Sequence, residues 1–223
     1  MNTENIHKSS YKSSVANAKS WLELSIYSQF PGLVAGIDEV GRGALFGPVV
    51  AAAVILPRNI LMEPIASEIK DSKQLSSSYR DRLAKKICQL SIDWKIGFAT
   101  TREIDHWNIL QATLLAMRRA VVILELQPSL CLVDGNQSIK DLTLPQKTIV
   151  KGDSLSLSIA AASIVAKVWR DNLIIRLARK YTLYDLHRNK GYGTARHLSA
   201  LRQHGPSPLH RLSFRPCQVH SEI

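Results

Sequence analysis

A chain of 223 residues that is 45% hydrophobic can bury one sizeable core, enough for one globular domain with at most a small appendage. Its formal charge of +11 points to a polyanionic partner, with nucleic acid ahead of an anionic membrane face. No apolar run approaches the roughly 20 residues that span a bilayer, and three cysteines without CxxC spacing argue against a disulfide framework. Cys88 and Cys131 lie in apolar surroundings and read as buried thiols. The N-terminus is polar and lacks a signal-peptide core, so a cytoplasmic protein is expected.

Residues 1–20 are rich in Ser, Asn and Lys and read as loosely ordered. "WLELSIYSQF" predicts a short amphipathic helix before Pro31. "LVAGIDEV" and "VVAAAVIL" predict two buried strands, the second closed by Pro57, with a glycine-rich tight connection between them. "SSSYRDRLAKKICQL" places Tyr79, Leu83, Ile87 and Leu90 at helical spacing. "WKIGFAT" is a third strand. "EIDHWNILQATLLAMRRAVVILEL" predicts one long helix, apolar at Ile109, Ala112, Leu115, Ala116 and Ala120. "LCLVD" and "KTIVKGD" are a fourth and a fifth strand. "SLSLSIAAASIVAKVWRDNLIIRLARKY" predicts a second long helix, whose Ala160, Ala161 and Ala162 allow close approach to a sheet. "GTARHLSALRQHG" predicts a shorter helix stopped by Gly205. This order gives an α/β fold, a mixed sheet covered by helices.

Three predicted core strands end in carboxylates: Asp38 and Glu39 after "LVAGI", Asp134 after "LCLV", and Asp153 after "TIVKG". Singly, Asp134 before Gly-Asn reads as a turn residue and Asp153 as a helix cap. Together they need another reason. No basic residue but Arg42 lies next to Asp38-Glu39 or Asp134, and carboxylates brought together repel one another. A hard divalent cation removes that conflict, because Mg²⁺ and Mn²⁺ take oxygen ligands. Two such ions about 4 Å apart form the clamp of in-line phosphoryl displacement.

Positive charge adds to this reading. From Lys167 onward, 3 Lys and 8 Arg stand against Asp171, Asp185 and Glu222. The combination indicates a nuclease or phosphotransferase acting on nucleic acid. "GRGALFG" fits neither G-x-x-x-x-G-K-[ST] nor G-x-G-x-x-G, and a β-branched run follows it, so a nucleotide-phosphate loop is rejected. A glycine hairpin that lets a ligand reach the backbone fits better. His187, His197, His204 and His210 lack the paired spacing or Cys partners of a zinc site.

"GIDEVGRGALFGPVVAAAVIL", "DSKQLS", "EIDHWNILQATLLAMRRAV", "LVDGNQ", "KGDSLSLSIAAASIVAKVWRD", "NKGYGTARH" and "HRLSF" resemble, in order, the motifs of bacterial ribonuclease HII. The resemblance runs from Gly36 to Phe214. It implies a ribonuclease H-like α/β fold, a mixed sheet flanked by helices with a short C-terminal helical part. Residues 1–30 would be an extension, 31–180 the catalytic domain and 181–223 a basic helical part contacting substrate.

The resemblance further implies hydrolysis of the RNA strand of RNA/DNA hybrids and incision at single ribonucleotides embedded in duplex DNA. The products would carry 3′-hydroxyl and 5′-phosphate ends. Asp38, Glu39, Asp134 and Asp153 would be the catalytic, metal-binding acids for two Mn²⁺ or Mg²⁺ ions. The backbone of Gly41, Arg42 and Gly43 would read the ribose 2′-hydroxyl, and Tyr192 would pack on the neighbouring deoxyribose. A monomer without membrane attachment is expected. Lys73, Lys167, Arg170, Lys190 and Arg196 are candidate phosphate contacts.

The chain departs from the family's usual Pro and small residue at Ala44 and Phe46, and in "YTLYDLHRNKGYG" before the glycine motif. Phe46 either alters the fit near the 2′-hydroxyl or fills the core. Two other classes stay open on sequence grounds: a non-catalytic nucleic-acid binder, which leaves the acids unexplained, and another two-metal nuclease or recombinase of the same fold.

Overall fold

A computed structural model describes residues 19–70 and 76–218. The first 18 residues, Lys73 and most of the "DSKQLS" segment lie outside the described residues. Helix α1 spans Lys19–Gln29, followed by strands β1 (Val34–Val40) and β2 (Val49–Ile55). After a 3₁₀ turn come α2 (Ile65–Lys70), α3 (Ser77–Leu90) and β3 (Asp93–Ala99). Next are α4 (Thr101–Trp107), α5 (Ile109–Val122), β4 (Leu130–Asp134) and β5 (Gln146–Ile149). The chain continues through α6 (Gly152–Leu155), α7 (Leu157–Ala178), α8 (Leu186–Asn189) and α9 (Ala195–His204).

The five strands form one mixed sheet in the order β3-β2-β1-β4-β5. β1 pairs antiparallel with β2 and parallel with β4. Strand alternation assigns the two faces. Ala35, Ile37, Ala51, Ala53 and Ile55 pack against α5 with Ala112, Ala116 and Ala120. Ala52 and Val54 pack on the opposite face with Ala160, Ala161 and Val165 of α7 and with Leu83 and Ile87 of α3. Gly36 makes the second packing possible. A Cβ there would lie 2.1 Å from the backbone of Ser158 in α7, so any side chain would push the helix off the sheet. Leu22 and Ile26 of α1 close the β4 side over Leu130 and Leu132.

Two expected helices are divided. The long helix through "EIDHWNILQ" breaks at Asn108, which has φ 70°. The Asn108 side chain accepts from the N–H groups of Leu110 and Gln111 and starts α5 afresh. The second long helix starts at Leu157, capped by Ser156, with the four-residue α6 ahead of it. The fifth strand covers only Gln146–Ile149. Gly205, at φ 69°, ends α9 as expected. All three cysteines are free; Cys131 and Cys217 are buried and Cys88 half-buried. Among the described residues no helix is long and apolar enough to cross a membrane.

Candidate active site

The parallel register of β1 with β4 pairs Ile37 with Val133. One step further on, Asp38, in the last three residues of β1, lies beside Asp134, the last residue of β4. Ligand oxygens of Asp38, Glu39 and Asp134 all lie within 4.8 Å of one another. Asp38 shares the Gly36 face and sits beneath α7, only 5% exposed. Its Oδ1 accepts from the Glu39 N–H at 2.7 Å. Burial and then Glu39 hold its carboxyl well above the usual range; the Ser163 hydroxyl of α7 opposes this, and Asp134 adds to it. Burial likewise raises Glu39, against the pull of Arg42, whose Nη1 lies 3.2 Å from Glu39 Oε1.

Asp134 Oδ1 accepts from the Gly152 N–H at 2.6 Å. That bond ties the end of β4 to the start of α6, and Asp153 is the next residue. Asp153 is outside the three-carboxylate cluster and adjoins it through Gly152. Arg42 pairs with one of these three carboxyls and Asp38 is buried, so ionising all three together is costly without a cation. Such a set of hard oxygen donors fits a divalent cation.

The connection from Gly41 to Pro48 is braced from behind. Gly41 adopts φ +89°, and a Cβ there would lie 2.2 Å from Arg170 Nε. The guanidinium of Arg170 is fully buried and donates to the carbonyls of Pro48, Lys190 and Phe46. This corrects its reading as a phosphate contact: charge pattern does not tell a solvated arginine from one whose five N–H groups satisfy buried carbonyls. Arg211, also fully buried and missed by sequence reasoning, donates to the carbonyls of Gly47, Arg42 and Gly41. Its signal was the "HRLSF" segment, quoted only as a motif.

The glycine connection meets the "KGYG" segment directly. Leu45 N–H donates to Gly191 O at 2.8 Å, and Ala44 pairs with Tyr192 in an antiparallel bridge. Tyr192 is half-buried, with Lys167 Nζ and Arg170 Cζ each 5.5 Å from its ring centre. Gly43 faces open space, with nothing within 4 Å of where a Cβ would stand. Phe46 points the other way. It is fully buried against Tyr181 and His210, so it fills the core. Lys167 also pairs with Asp171 at 3.0 Å, and Arg196 is exposed. Buried His197 and His210 meet through their Nε2 atoms at 3.0 Å, and His197 Nδ1 lies 2.9 Å from Tyr192 O.

A mixed sheet flanked by helices, with carboxylates crowded at the ends of its central strands, defines a nuclease of the ribonuclease H class. The ribonuclease H2 structure from Pyrococcus horikoshii superposes with a TM-score of 0.72 at 27% identity, covering 83% of this chain and 95% of that one. The family model for Ribonuclease HII matches residues 35–217. Ribonuclease HII of Nostoc sp. is 66% identical over 204 residues, 91% of each chain. That of Trichodesmium erythraeum is 59% identical over 196 residues, 88% of this chain and 93% of the relative. The chain belongs to the ribonuclease HII family, and it is a ribonuclease H endonuclease.

Proposed function

We propose that this chain incises duplex DNA at single embedded ribonucleotides as well as cutting the RNA strand of RNA/DNA hybrids, leaving 3′-hydroxyl and 5′-phosphate ends. The observation that carries the reading is the pairing of two features on one short segment. Asp38 and Glu39 contribute to the carboxylate cluster, and the backbone of Gly41, Arg42 and Gly43 begins two residues later, joined to Tyr192 through Ala44.

Asp38, Glu39 and Asp134 would hold divalent cations, Mg²⁺ or Mn²⁺, with Asp153 completing the site for a second. Bound there, the cations supply a water of lowered pKa and neutralise charge on the leaving oxygen. The protein's own part is placement. Asp38 and Asp134 are fixed by strand register, and Asp134 is oriented by the Gly152 N–H. The open backbone at Gly43 leaves room for a ribose, and the 2′-hydroxyl is what distinguishes RNA from DNA at one position. Half-buried Tyr192 offers a ring for the next sugar, and exposed Arg196 and half-buried Lys190 flank it as phosphate contacts. The enzyme would act as a monomer in the cytoplasm.

The test is cleavage of duplex DNA carrying one ribonucleotide, with Mg²⁺ and Mn²⁺ in turn, mapped to the nucleotide. Incision 5′ or 3′ of the ribonucleotide in wild type, and its loss in Tyr192→Ala with hybrid cleavage retained, is the expected result. Equal cutting of an all-DNA duplex sinks the reading in favour of a general two-metal nuclease. Binding without any cleavage sinks it in favour of a non-catalytic binder.

A further inference from the structure

The family match begins at residue 35, so α1 lies outside it. Yet α1 puts a carboxyl into the core. Glu23 is fully buried, and its Oε1 accepts from Ser156 Oγ at 2.6 Å and from the Ser158 N–H at 3.1 Å. Burying a carboxyl is costly, and simple helix packing is met by an apolar residue, as Ile26 meets it three positions on.

What Glu23 holds is the junction between α6 and α7. Ser156 sits there in extended conformation, and its Oγ accepts from the Ile159 N–H to cap α7. The Ser156 N–H donates to Gly152 O at 2.7 Å. The Gly152 N–H donates to Asp134 Oδ1 at 2.6 Å. A continuous route of hydrogen bonds therefore runs from Glu23 through Ser156 and Gly152 to a carboxylate of the cluster, and Asp153 rides on the same turn. The chain just after α1 is fixed independently: Arg58 Nη2 donates to Phe30 O at 2.6 Å and to Gly32 O at 3.1 Å.

We propose that Glu23 is a positioning residue for the carboxylate cluster, holding the α6–α7 junction so that Gly152 stays on Asp134 and Asp153 stays beside it. The proposal rests on the reading of Asp134 as a cation ligand. Glu23 touches neither substrate nor reacting atoms. Its removal frees the junction to shift, and the site loses definition where β4 meets α6. Burial holds the Glu23 carboxyl above its ordinary range, so an uncharged acceptor of the same shape is a fair replacement.

The test uses the full chain without substrate or cation, followed by Mn²⁺ titration. An N–H bonded to a carboxylate at short distance gives a downfield amide resonance with slow hydrogen exchange. In Glu23→Ala the Gly152 amide is expected to move upfield and exchange faster. The Mn²⁺ concentration for half-saturation, read by calorimetry, rises about tenfold, the lower end of what losing a partner behind a metal ligand costs. In turnover, kcat falls at limiting Mn²⁺ while KM for the nucleic acid is unchanged.

Glu23→Gln keeps the Oε1 acceptor and restores the Gly152 amide position. Ile26→Val on the same helix lowers Tm and leaves the amide in place. Should Glu23→Ala fail to fold, Ser156→Ala breaks the same route and is expected to move the same amide. An unmoved Gly152 amide together with unchanged Mn²⁺ binding in Glu23→Ala or Ser156→Ala overturns the proposal. Unchanged Mn²⁺ binding in Asp134→Asn instead overturns the cation reading, and the amide still decides the role of Glu23.

Discussion

The guanidinium of Arg211 donates to the carbonyl oxygen of Gly41 at 2.7 Å, from a position with no exposure to solvent. The same side chain takes the Arg42 and Gly47 carbonyls, and Arg170 takes those of Phe46, Pro48 and Lys190. Two buried arginines thus replace solvent for six carbonyls of the glycine connection and its neighbour. Burial and the nearness of Arg170 disfavour the charge on Arg211. The geometry they hold, a fixed turn beside the carboxylates, is what that cost secures.

Arg211→Lys tests this directly. An ammonium on a flexible stem does not reproduce three divergent N–H directions. At least one carbonyl is left unpaired, at about 1–3 kcal/mol each, so unfolding in urea should show a loss of about 3 kcal/mol. If the glycine connection reads the 2′-hydroxyl as proposed, cleavage at a single ribonucleotide should suffer more than cleavage of a long hybrid.

The carboxylate cluster makes the protein less stable at neutral pH when no cation is present. Asp38 and Glu39 have folded pKa values above their unfolded ones. Their contribution is therefore favourable below the unfolded carboxylate range and is lost as pH rises through the folded values. Divalent cation should reverse that loss. At a concentration about 100 times its Kd it adds about 2.7 kcal/mol, a rise in Tm of about 5 °C or more. The rise should shrink as pH falls toward the ordinary carboxylate range, and it should be absent in Asp38→Asn. A thermal scan with and without Mg²⁺ at each pH checks all three.

The histidine pair makes a second pH prediction of opposite sign. The Ser207 N–H donates to His210 Nδ1, so neutral His210 carries its proton on Nε2 and gives it to His197 Nε2. His197 then donates from Nδ1 to Tyr192 O. Burial, then His197, pushes His210 down to about 4, and burial lowers His197. The neutral pair stabilises the fold above the unfolded value near 6.5, and that stability is lost as pH falls toward about 4, about 3 kcal/mol for His210. Imidazole ¹⁵N spectra should show the Nε2–H tautomer for His210 and the Nδ1–H tautomer for His197 at pH 7. A His210 midpoint near 6.5 would contradict this arrangement.

Some of this was readable before any coordinates. Asp38 and Asp134 each end an uninterrupted apolar run, and a carboxylate at the lip of a core strand stands out in sequence. Strand pairing then brings together residues 96 positions apart in chain order. The break at Asn108 was hidden because apolar spacing continues through it; only its positive φ and its side-chain cap reveal two helices. Arg170 and Arg211 were hidden for a different reason. A buried arginine that satisfies backbone carbonyls and a solvated one look alike in a basic segment. Glu23 occupies what reads as the polar stripe of a surface helix, and its burial depends on Ser156 and Ser158, more than 130 residues away in sequence. Phe46, ambiguous in sequence, packs into the core beside His210, while Gly43 of the same connection faces open space.

The most direct measurement is cleavage of an RNA/DNA hybrid by Asp38→Asn at saturating Mg²⁺ and Mn²⁺, with hybrid binding measured on the same preparation. The amide keeps the shape of the side chain and removes one of the three clustered carboxyls. Cleavage should disappear while binding is retained. Turnover comparable to wild type at saturating cation would contradict the assignment of the β1–β4 carboxylates as the catalytic centre.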